Sequence, residues 1–387
     1  MASDSRITTS TPGSRKCDIV VIDDFFPNLT TGFRVAEYIH YLRVFPDLLV
    51  ASTIGDFKEQ HAQFGELYPD LRSRVIPFDL KLLSHARLGY LNFLNNAHYH
   101  VDHLEAAALP FLFTLYPGGG FELQSSETDL KLKRVLRSPM LRAVISTQSV
   151  TTRVLGKMMC PVEVHELYGA TINPTYLQSS GIRPRKAIND RGSKLNICFV
   201  AHKYDPKGHT KGYPTFIEIA ATIANCHAGA TFSVVGNYGP DVVDIPEPLK
   251  ARLQFRGALA SSQLRDFLLT QDLLISPNQP YTVSGSMFDG FPTASCVEAS
   301  LCGVAIVCSD ELNLNHFYAP DEMIVCAPVA SVVLEAVEPL LADPSLIAQI
   351  GERGRKKSLL LFSAEAQLLP RTRILRDLLA AGEAFSA

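Results

Sequence analysis

The stretch GSMFDGFPTASCVEASLCGVAIVCSD, residues 285–310, combines a glycine-containing loop, a short helix and an apolar strand. The predicted helix runs from Thr293 to Cys302 and contains small and apolar residues apart from one acid, Glu298. A second acid, Asp289, stands in the loop before the helix. A carboxylate buried without a partner would cost several kcal/mol or lose its charge. Glu298 therefore needs either a protein partner or a ligand rich in hydroxyl donors.

The beginning of the same helix is predicted to bind an anion. Gly290 allows a close approach of the backbone to a ligand. Pro292 suits the first helical position, where its missing N–H costs nothing. The N–H groups of Phe291, Thr293 and Ala294 would then point out of the helix toward an anion, aided by the helix dipole.

The rest of the chain alternates strand-like and helix-like segments in two halves. The strand-like runs of the first half are CDIVVID (17–23), DLLVAS, RVIPF, LPFLFTL, RAVIST and VEVHEL. Those of the second half are LNICFVAH, TFSVVG, RLQFRG, DLLISP and MIVCAP. This alternation predicts an α/β protein with parallel sheets covered by helices on both faces. In such proteins ligands bind outside the carboxyl ends of the strands, here in the cleft between the halves.

Changes in composition suggest the domain boundaries. Residues 1–16 lack an apolar core and are predicted to be a flexible tail, not a signal peptide. Residues 17–180 form the predicted N-terminal domain, and the polar, basic, proline-bearing segment 181–194 is the predicted linker. Residues 195–387 form the predicted C-terminal domain. Its last helix is expected to pack back toward the N-terminal domain.

The composition excludes several classes of protein. A net charge of −3 over 387 residues gives no general attraction for nucleic acid. The eight cysteines are scattered without a CxxC pair, which favours free thiols in a reducing compartment. No run approaches the roughly 18 apolar residues that a membrane-spanning helix needs. The predicted location is the cytoplasm.

The segment DGFPTASCVEASLCGVAIVCSDELNLN resembles the signature of family-4 retaining glycosyltransferases, which have the GT-B fold. The resemblance implies two Rossmann-like βαβ domains that face each other across a cleft. It also implies that Glu298 holds the ribose hydroxyls of a nucleotide sugar and that Asp289 contacts hydroxyls of the donor sugar. The amides between the two acids would hold the diphosphate. The first acid is Asp where the family usually has Glu, and one more residue than usual separates the two acids.

A second segment, NICFVAHKYDPKGHTKGYPTFIEIA, resembles the family's strand, basic loop, Lys-Gly pair and helix. Lys211 falls at the Lys-Gly position, and the second cation falls on Lys203 or His202. The resemblance implies that these cations neutralise the leaving diphosphate, since fixed cations stabilise charge that develops as a bond breaks. Solvated loop lysines are the alternative reading.

Four further positions follow from the resemblance as donor-binding residues. Thr31 and Gly32, in FPNLTTGFRVAEYIHYL, would face the diphosphate or the acceptor. Gly236, in VVGNYG, and Arg256, in LQFRGAL, would lie near the nucleobase. Tyr116 stands where many relatives carry a histidine, so no catalytic histidine is assigned.

The implied activity is retaining, metal-independent transfer of a hexose from a nucleotide diphosphate sugar to a hydroxyl of a glycan or lipid-linked glycan acceptor. By analogy, bacterial polysaccharide or glycan assembly is the expected setting. The nucleotide sugar is a co-substrate, and no cofactor is expected. No metal site is predicted, because there is no Asp-x-Asp and the spacing of His98, His100 and His103 suits no known zinc pattern.

Three other classes of protein share the general features of this sequence: epimerases, sugar-nucleotide-binding proteins and dehydrogenases. A nucleotide-sugar epimerase of the same fold and a non-catalytic sugar-nucleotide-binding protein stay open. An NAD-dependent dehydrogenase should carry GxGxxG after a strand, and neither half does.

The basic segment LKLKRVLRSPMLR, residues 130–142, is typical of a solvated amphipathic face. Contact with anionic lipid at the inner face of a membrane is the less common alternative. No feature of the sequence indicates a particular oligomeric state.

Overall fold

Two parallel β-sheets, one from each half of the chain, organise the protein. The computed structural model describes residues 17–178, 194–282 and 286–384. The predicted tail 1–16 and nearly all of the predicted linker 181–194 lie outside these residues.

The first sheet has seven strands in the order β3-β2-β1-β4-β5-β6-β7. Its strands are β1 (Cys17–Asp23), β2 (Leu48–Ser52), β3 (Val75–Pro77), β4 (Ala86–Asn92), β5 (Phe111–Leu115), β6 (Leu141–Ser146) and β7 (Glu163–Glu166). Every pair in it is parallel, with Val21 beside Val50 on one side and Tyr90 on the other.

The second sheet has six strands in the order β10-β9-β8-β11-β12-β13, again all parallel. Its strands are β8 (Leu195–Val200), β9 (Ala230–Val235), β10 (Leu253–Phe255), β11 (Leu273–Ser276), β12 (Ala305–Cys308) and β13 (Ile324–Val325).

Helices cover these sheets. They are α1 (Gly32–Val44), α2 (Phe57–Leu67), α3 (Leu94–Ala106), α4 (Ser126–Leu136), α5 (Ser149–Lys157), α6 (Pro174–Leu177), α7 (Tyr213–Cys226), α8 (Glu247–Lys250), α9 (Ser261–Leu268), α10 (Ala294–Leu301), α11 (Ala330–Ala342), α12 (Ser345–Phe362) and α13 (Ala364–Ala384). Short 3₁₀ helices occur at Arg72–Arg74, Leu80–His85 and His209–Lys211.

The strand order places the ligand-binding edge of each sheet. In both sheets the order reverses beside the first strand, between β1 and β4 and between β8 and β11. A doubly wound sheet opens a crevice at such a reversal, at the carboxyl ends of the strands. The loops after β1, β4, β8 and β11 are therefore the ones that should hold a ligand.

One central strand, β4, which has the sequence ARLGYLN, was not predicted from the sequence. Arg87 and Gly89 interrupt its apolar run, so it lacks the continuous pattern of a buried strand. Gly89 has a packing reason, because a Cβ there would lie 3.2 Å from the Cβ of Phe111 and 3.3 Å from Leu104.

The last helix, α13, packs against the first sheet although it belongs to the second half of the chain. Leu375 is fully buried in the same apolar cluster as Ile19 and Tyr38. Thr372 Oγ1 lies 2.9 Å from His40 Nε2 of α1. The helix thereby ties the two halves together at a place away from the crevice loops.

All eight cysteines are free thiols. Among the helices of the described residues, none has the length and apolar character needed to cross a membrane.

Candidate active site

Residues of the two halves meet where the loops after β1 and β11 approach each other. A Cβ added to Gly32, at the start of α1, would lie 3.8 Å from Glu298 Oε1 on α10. The same atom would lie 3.6 Å from Asn173 and 3.7 Å from Ser261 Oγ. Gly32 and Glu298, predicted separately from the sequence, therefore face each other across the cleft.

The Glu298 carboxylate is surrounded by protein atoms but has no hydrogen-bond partner among the described residues. Its residue is half-buried, and no side chain or backbone group of the described residues donates a hydrogen bond or ion pair to its carboxylate. The nearby Tyr176 hydroxyl donates instead to the Ser261 carbonyl at 3.0 Å. Burial raises the pKa of Glu298 to about 8. An acid in this state gains most from a ligand that brings hydrogen-bond donors.

Lys211 and Asp289, from the loops after β8 and β11, form a close ion pair. Lys211 Nζ donates to both carboxylate oxygens, at 2.7 and 2.6 Å. Asn278 Nδ2 donates to Asp289 Oδ2 at 2.9 Å. The ammonium also lies 5.0 Å from the centre of the Tyr204 ring. Because an ammonium has three N–H groups, one remains available to a ligand.

The loop that presents Lys211 is shaped by Asp205. The carboxylate of Asp205 accepts hydrogen bonds from the backbone N–H groups of Lys207, His209 and Thr210. These bonds hold the pKa of Asp205 below its usual value, even though burial acts to raise it. The loop thus stays folded with its acid ionised, which fixes the chain just before Lys211.

Gly212 lets this loop rest against the end of β11. Its φ is +70°, and a Cβ there would lie 1.8 Å from the Pro277 carbonyl oxygen. We expect Gly212→Ala to lower the free energy of unfolding by about 3 kcal/mol or more, because it adds a backbone clash to the strain of a left-handed residue. Urea unfolding followed by circular dichroism measures this change.

Gly257→Ala is the matched control for that substitution. Gly257 has nearly the same φ, +68°, but nothing lies within 4 Å of an added Cβ. Its loss should be limited to about 1 kcal/mol from the backbone conformation alone. Equal losses in the two variants would contradict the close approach of Gly212 to Pro277.

The beginning of α10 differs from the sequence-based expectation in two respects. The helix starts at Ala294 with Thr293 as its N-cap, so Pro292 precedes the helix and does not occupy its first position. The Phe291 N–H is not free, because Gln148 Oε1 accepts from it at 3.4 Å while Gln148 Nε2 donates to the Phe291 carbonyl at 3.2 Å. The buried Phe291 N–H is thus hydrogen-bonded by Gln148, a residue of the first half of the chain.

The N–H groups that are available to an anion therefore lie one or two residues further along the chain than predicted. The Thr293 N–H donates to Cys296 Sγ. In the part of the chain that the structure describes, no acceptor bonds the N–H groups of Ala294, Ser295 and Cys296. A small pocket of about 30 Å³ lies beside them and is also lined by Asp289. Free amides at the start of a helix favour an anion at this point.

The remaining predicted site residues are Thr31, Gly236, Arg256 and Lys203. Thr31 is the N-cap of α1 beside Gly32. Gly236 packs on the protein itself, because a Cβ there would lie 2.0 Å from the Ala201 carbonyl oxygen. Arg256 is exposed and lies 6.0 Å from the Phe267 ring centre. Lys203 is half-buried, and its backbone N–H donates to Asn237 Oδ1 at 2.7 Å.

Three residues at the site were missed by the sequence analysis: Gln148, Asn278 and Tyr204. Gln148 follows β6, and Asn278 follows β11, so both stand at the carboxyl ends of strands. That position is a usable signal in a parallel sheet. Gly290 also packs on Gln148, since a Cβ there would lie 2.9 Å from Gln148 Nε2. No sequence feature points to the contact of Tyr204 with Lys211.

The fold is that of the GT-B glycosyltransferases, with two doubly wound sheets facing each other across a cleft. Residues 217–368, which include α10 and β12, match the family model described as glycosyl transferase-like.

Solved structures with the same fold include three that cover nearly the whole chain. HepE from Anabaena, solved in complex with UDP, is 14% identical, with a TM-score of 0.69 and coverage of 93% of this chain and 100% of its own. Sucrose-phosphate synthase from Thermosynechococcus elongatus is 15% identical, with a TM-score of 0.62 and coverage of 94% and 100%. The UDP-forming α,α-trehalose-phosphate synthase from Burkholderia vietnamiensis is 12% identical, with a TM-score of 0.64 and coverage of 94% and 100%. A search of curated protein sequences gives no match.

Proposed function

We propose that this protein is a retaining glycosyltransferase that moves a hexose from a nucleoside diphosphate sugar to a hydroxyl acceptor. The acceptor class proposed is a glycan or lipid-linked glycan, as in polysaccharide assembly, and membership of family 4 stays a prediction. The observation that carries the proposal is the carboxylate of Glu298. It has no hydrogen-bond or ion-pair partner among the described residues, lies within contact distance of the opposite domain, and belongs to a segment that matches a glycosyl transferase-like family.

The separate parts of a nucleoside diphosphate sugar each match a group at the site. Glu298 can accept hydrogen bonds from the two ribose hydroxyls, and the free amides from Ala294 to Cys296 can bind phosphate oxygens. Asp289 lines the pocket beside these amides, and Lys211 is paired with Asp289. Asp289 would accept from sugar hydroxyls while keeping Lys211 in place. Lys203, Thr31, Gly236 and Arg256 stay predicted donor contacts.

The proposed reaction needs no side-chain nucleophile. The bond between the sugar C1 and the diphosphate oxygen breaks, and the diphosphate takes the electron pair. The acceptor oxygen then bonds to C1 from the same face, and its proton passes to a diphosphate oxygen. Lys211 and the amides of α10 stabilise the negative charge that grows on the leaving group, which is the step where fixed positive charge is most effective.

We expect a nucleoside diphosphate sugar to raise the melting temperature of the protein, because a ligand that binds only the folded state stabilises it. A panel of UDP-, GDP-, ADP- and dTDP-sugars measured by thermal shift identifies the donor. UDP-glucose comes first in the panel, since the related fold of HepE was also solved with it. Transfer to a glycan acceptor is then followed by NMR, and we expect the anomeric configuration of the donor in the product.

The same assay separates the alternatives. Conversion of the donor without any acceptor would indicate an epimerase, and binding without transfer or slow hydrolysis would indicate a sugar-nucleotide-binding protein. We expect transfer to persist in EDTA, because Lys211 and the helix amides supply the positive charge. Inversion at C1 would contradict the retaining mechanism but leave the donor site standing.

A further inference from the structure

A second groove lies outside the candidate active site, between α4 and α5 of the first half. It is open to solvent and has a volume of about 1060 Å³. Its apolar lining includes Leu136, Val150, Val154 and Met158. Nothing in the proposed sugar transfer uses it.

Four cations line this groove, against a single acid. The cations are Lys133 and Arg137, at the end of α4, and Arg153 and Lys157, on α5. All four are exposed. The acid is Asp129. The groove is therefore strongly basic, although the whole chain carries a net charge of −3.

The cations of the groove differ from their neighbours in having no acidic partner among the described residues. On the same helix, Lys131 Nζ lies 2.6 Å from Glu127, and Arg134 Nη2 lies 2.7 Å from Glu105. In contrast, none of the four groove cations forms an ion pair with any residue in the described ranges. Lys131 and Arg134 are thus neutralised within the fold, whereas the four groove cations are available to an external anion.

Two exposed apolar side chains lie at or beside the groove. Met159 follows α5 and is 84% exposed, the largest value among the large hydrophobic residues of the described chain. Leu130, the neighbour of Asp129 on α4, is 69% exposed. An anionic polymer that is polar throughout would leave these side chains in water. A ligand with both anionic and apolar parts covers both kinds of surface.

We propose that this groove docks the protein on a bilayer surface that contains anionic phospholipid. Lys133, Arg137, Arg153 and Lys157 contact the head groups, while Met159 and the apolar lining contact acyl chains. Each basic residue near an anionic bilayer contributes about a fivefold gain in binding. The apolar area adds to that attraction, as for other proteins that lie in the interface of a membrane.

The docking surface adjoins the candidate active site without overlapping it. Leu123, at one end of the groove, donates its N–H to the Ser286 carbonyl of the loop before Asp289 at 2.9 Å. At the other side, α5 begins directly after Gln148, which bonds Phe291. A bound bilayer would therefore lie next to the cleft, which suits an acceptor carried on a lipid if the proposed function holds.

Vesicle co-sedimentation of the full chain tests the proposal. We expect binding to phosphatidylcholine vesicles that contain phosphatidylglycerol, weak binding to phosphatidylcholine alone, and a decrease with added salt. The double variant Arg137→Gln/Arg153→Gln should bind the anionic vesicles about 25-fold more weakly, at about fivefold for each charge. Met159→Asp should also weaken binding. The matched control is Lys58→Gln/Lys81→Gln, which removes two exposed cations of the same half and should bind like the unmodified protein.

Three outcomes would overturn the proposal. One is equal binding to anionic and neutral vesicles. Another is an equal loss in the groove variant and in the control. The third is retention on a soluble acidic polymer without vesicle binding, which would favour an anionic macromolecule. The thermal shift caused by the donor should be unchanged in all these variants, so failure here is distinguishable from failure of the sugar-transfer proposal.

Discussion

Glu298→Ala is expected to lower kcat/KM for the donor on the order of 100-fold while the protein stays folded. The substitution removes a carboxylate that would accept two ribose hydroxyls, and hydrogen bonds to a charged group contribute about 1.5–3 kcal/mol each. The loss should appear largely in KM, because the ribose contact is present in both the ground state and the transition state. Initial rates over a range of donor concentrations measure it.

The pKa of Glu298 gives a second readout of the same contact. Burial raises this pKa to about 8 from a usual 4.5. Hydroxyl donors favour the charged form and lower the pKa again. Donor binding at pH 7 should therefore release up to one proton, which calorimetry in buffers of different ionisation enthalpy detects. Glu298→Gln should abolish the release.

In the protein without ligand, the raised pKa of Glu298 should make the free energy of unfolding depend on pH. Between about pH 5 and 8 the native state keeps the proton of Glu298, whereas the unfolded chain has already lost it. Stability therefore falls as the pH rises through this window, by a few kcal/mol at most. In Glu298→Gln this part of the pH dependence should be absent.

Glu335→Ala is the control for loss of a carboxylate from the same half, since Glu335 is exposed on α11. It should change neither the kinetics nor the proton release. Normal kinetics in Glu298→Ala, or an unchanged proton count in Glu298→Gln, would show that Glu298 does not hold the donor.

The general architecture was predictable because buried parallel strands have continuous apolar sequences. Cys17–Asp23 is found as predicted, and α10 differs from the expected helix by one residue at each end. The strand β4 was missed because a charged residue and a glycine interrupt it, although it lies at the reversal of strand order. Local patterns identify an element only where the pattern is unbroken.

The contacts at the site were harder to predict, because they join residues far apart in the chain. Lys211 and Asp289 are 78 residues apart, and Gln148 and Phe291 are 143 residues apart. The sequence identified Lys211 and Asp289 separately but gave no reason for them to pair. Likewise, the free amide expected at Phe291 is bonded by a glutamine from the other half. The first pair depends on β8 and β11 being neighbours in one sheet, and the second depends on how the two sheets face each other. Local sequence encodes neither arrangement.

Lys211→Ala is expected to lower kcat by about 100- to 1000-fold, which is the usual effect of removing one group that stabilises charge in a transition state. Lys211 is only 7% exposed and is held by both oxygens of Asp289. Its ammonium is therefore already in position when charge develops on the diphosphate. Because that charge is greatest as the bond breaks, the loss should appear in kcat more than in KM.

The ion pair allows a second explanation, in which Lys211 serves only to neutralise Asp289. Removing Lys211 would then leave a half-buried acid without its partner, which by itself is costly. A double-mutant cycle with Asp289→Asn distinguishes the two roles. If Lys211 acts on the leaving group, Lys211→Ala/Asp289→Asn should be far slower than Asp289→Asn alone. If the double variant matches Asp289→Asn, Lys211 is a partner of the acid and the assignment to the diphosphate is wrong.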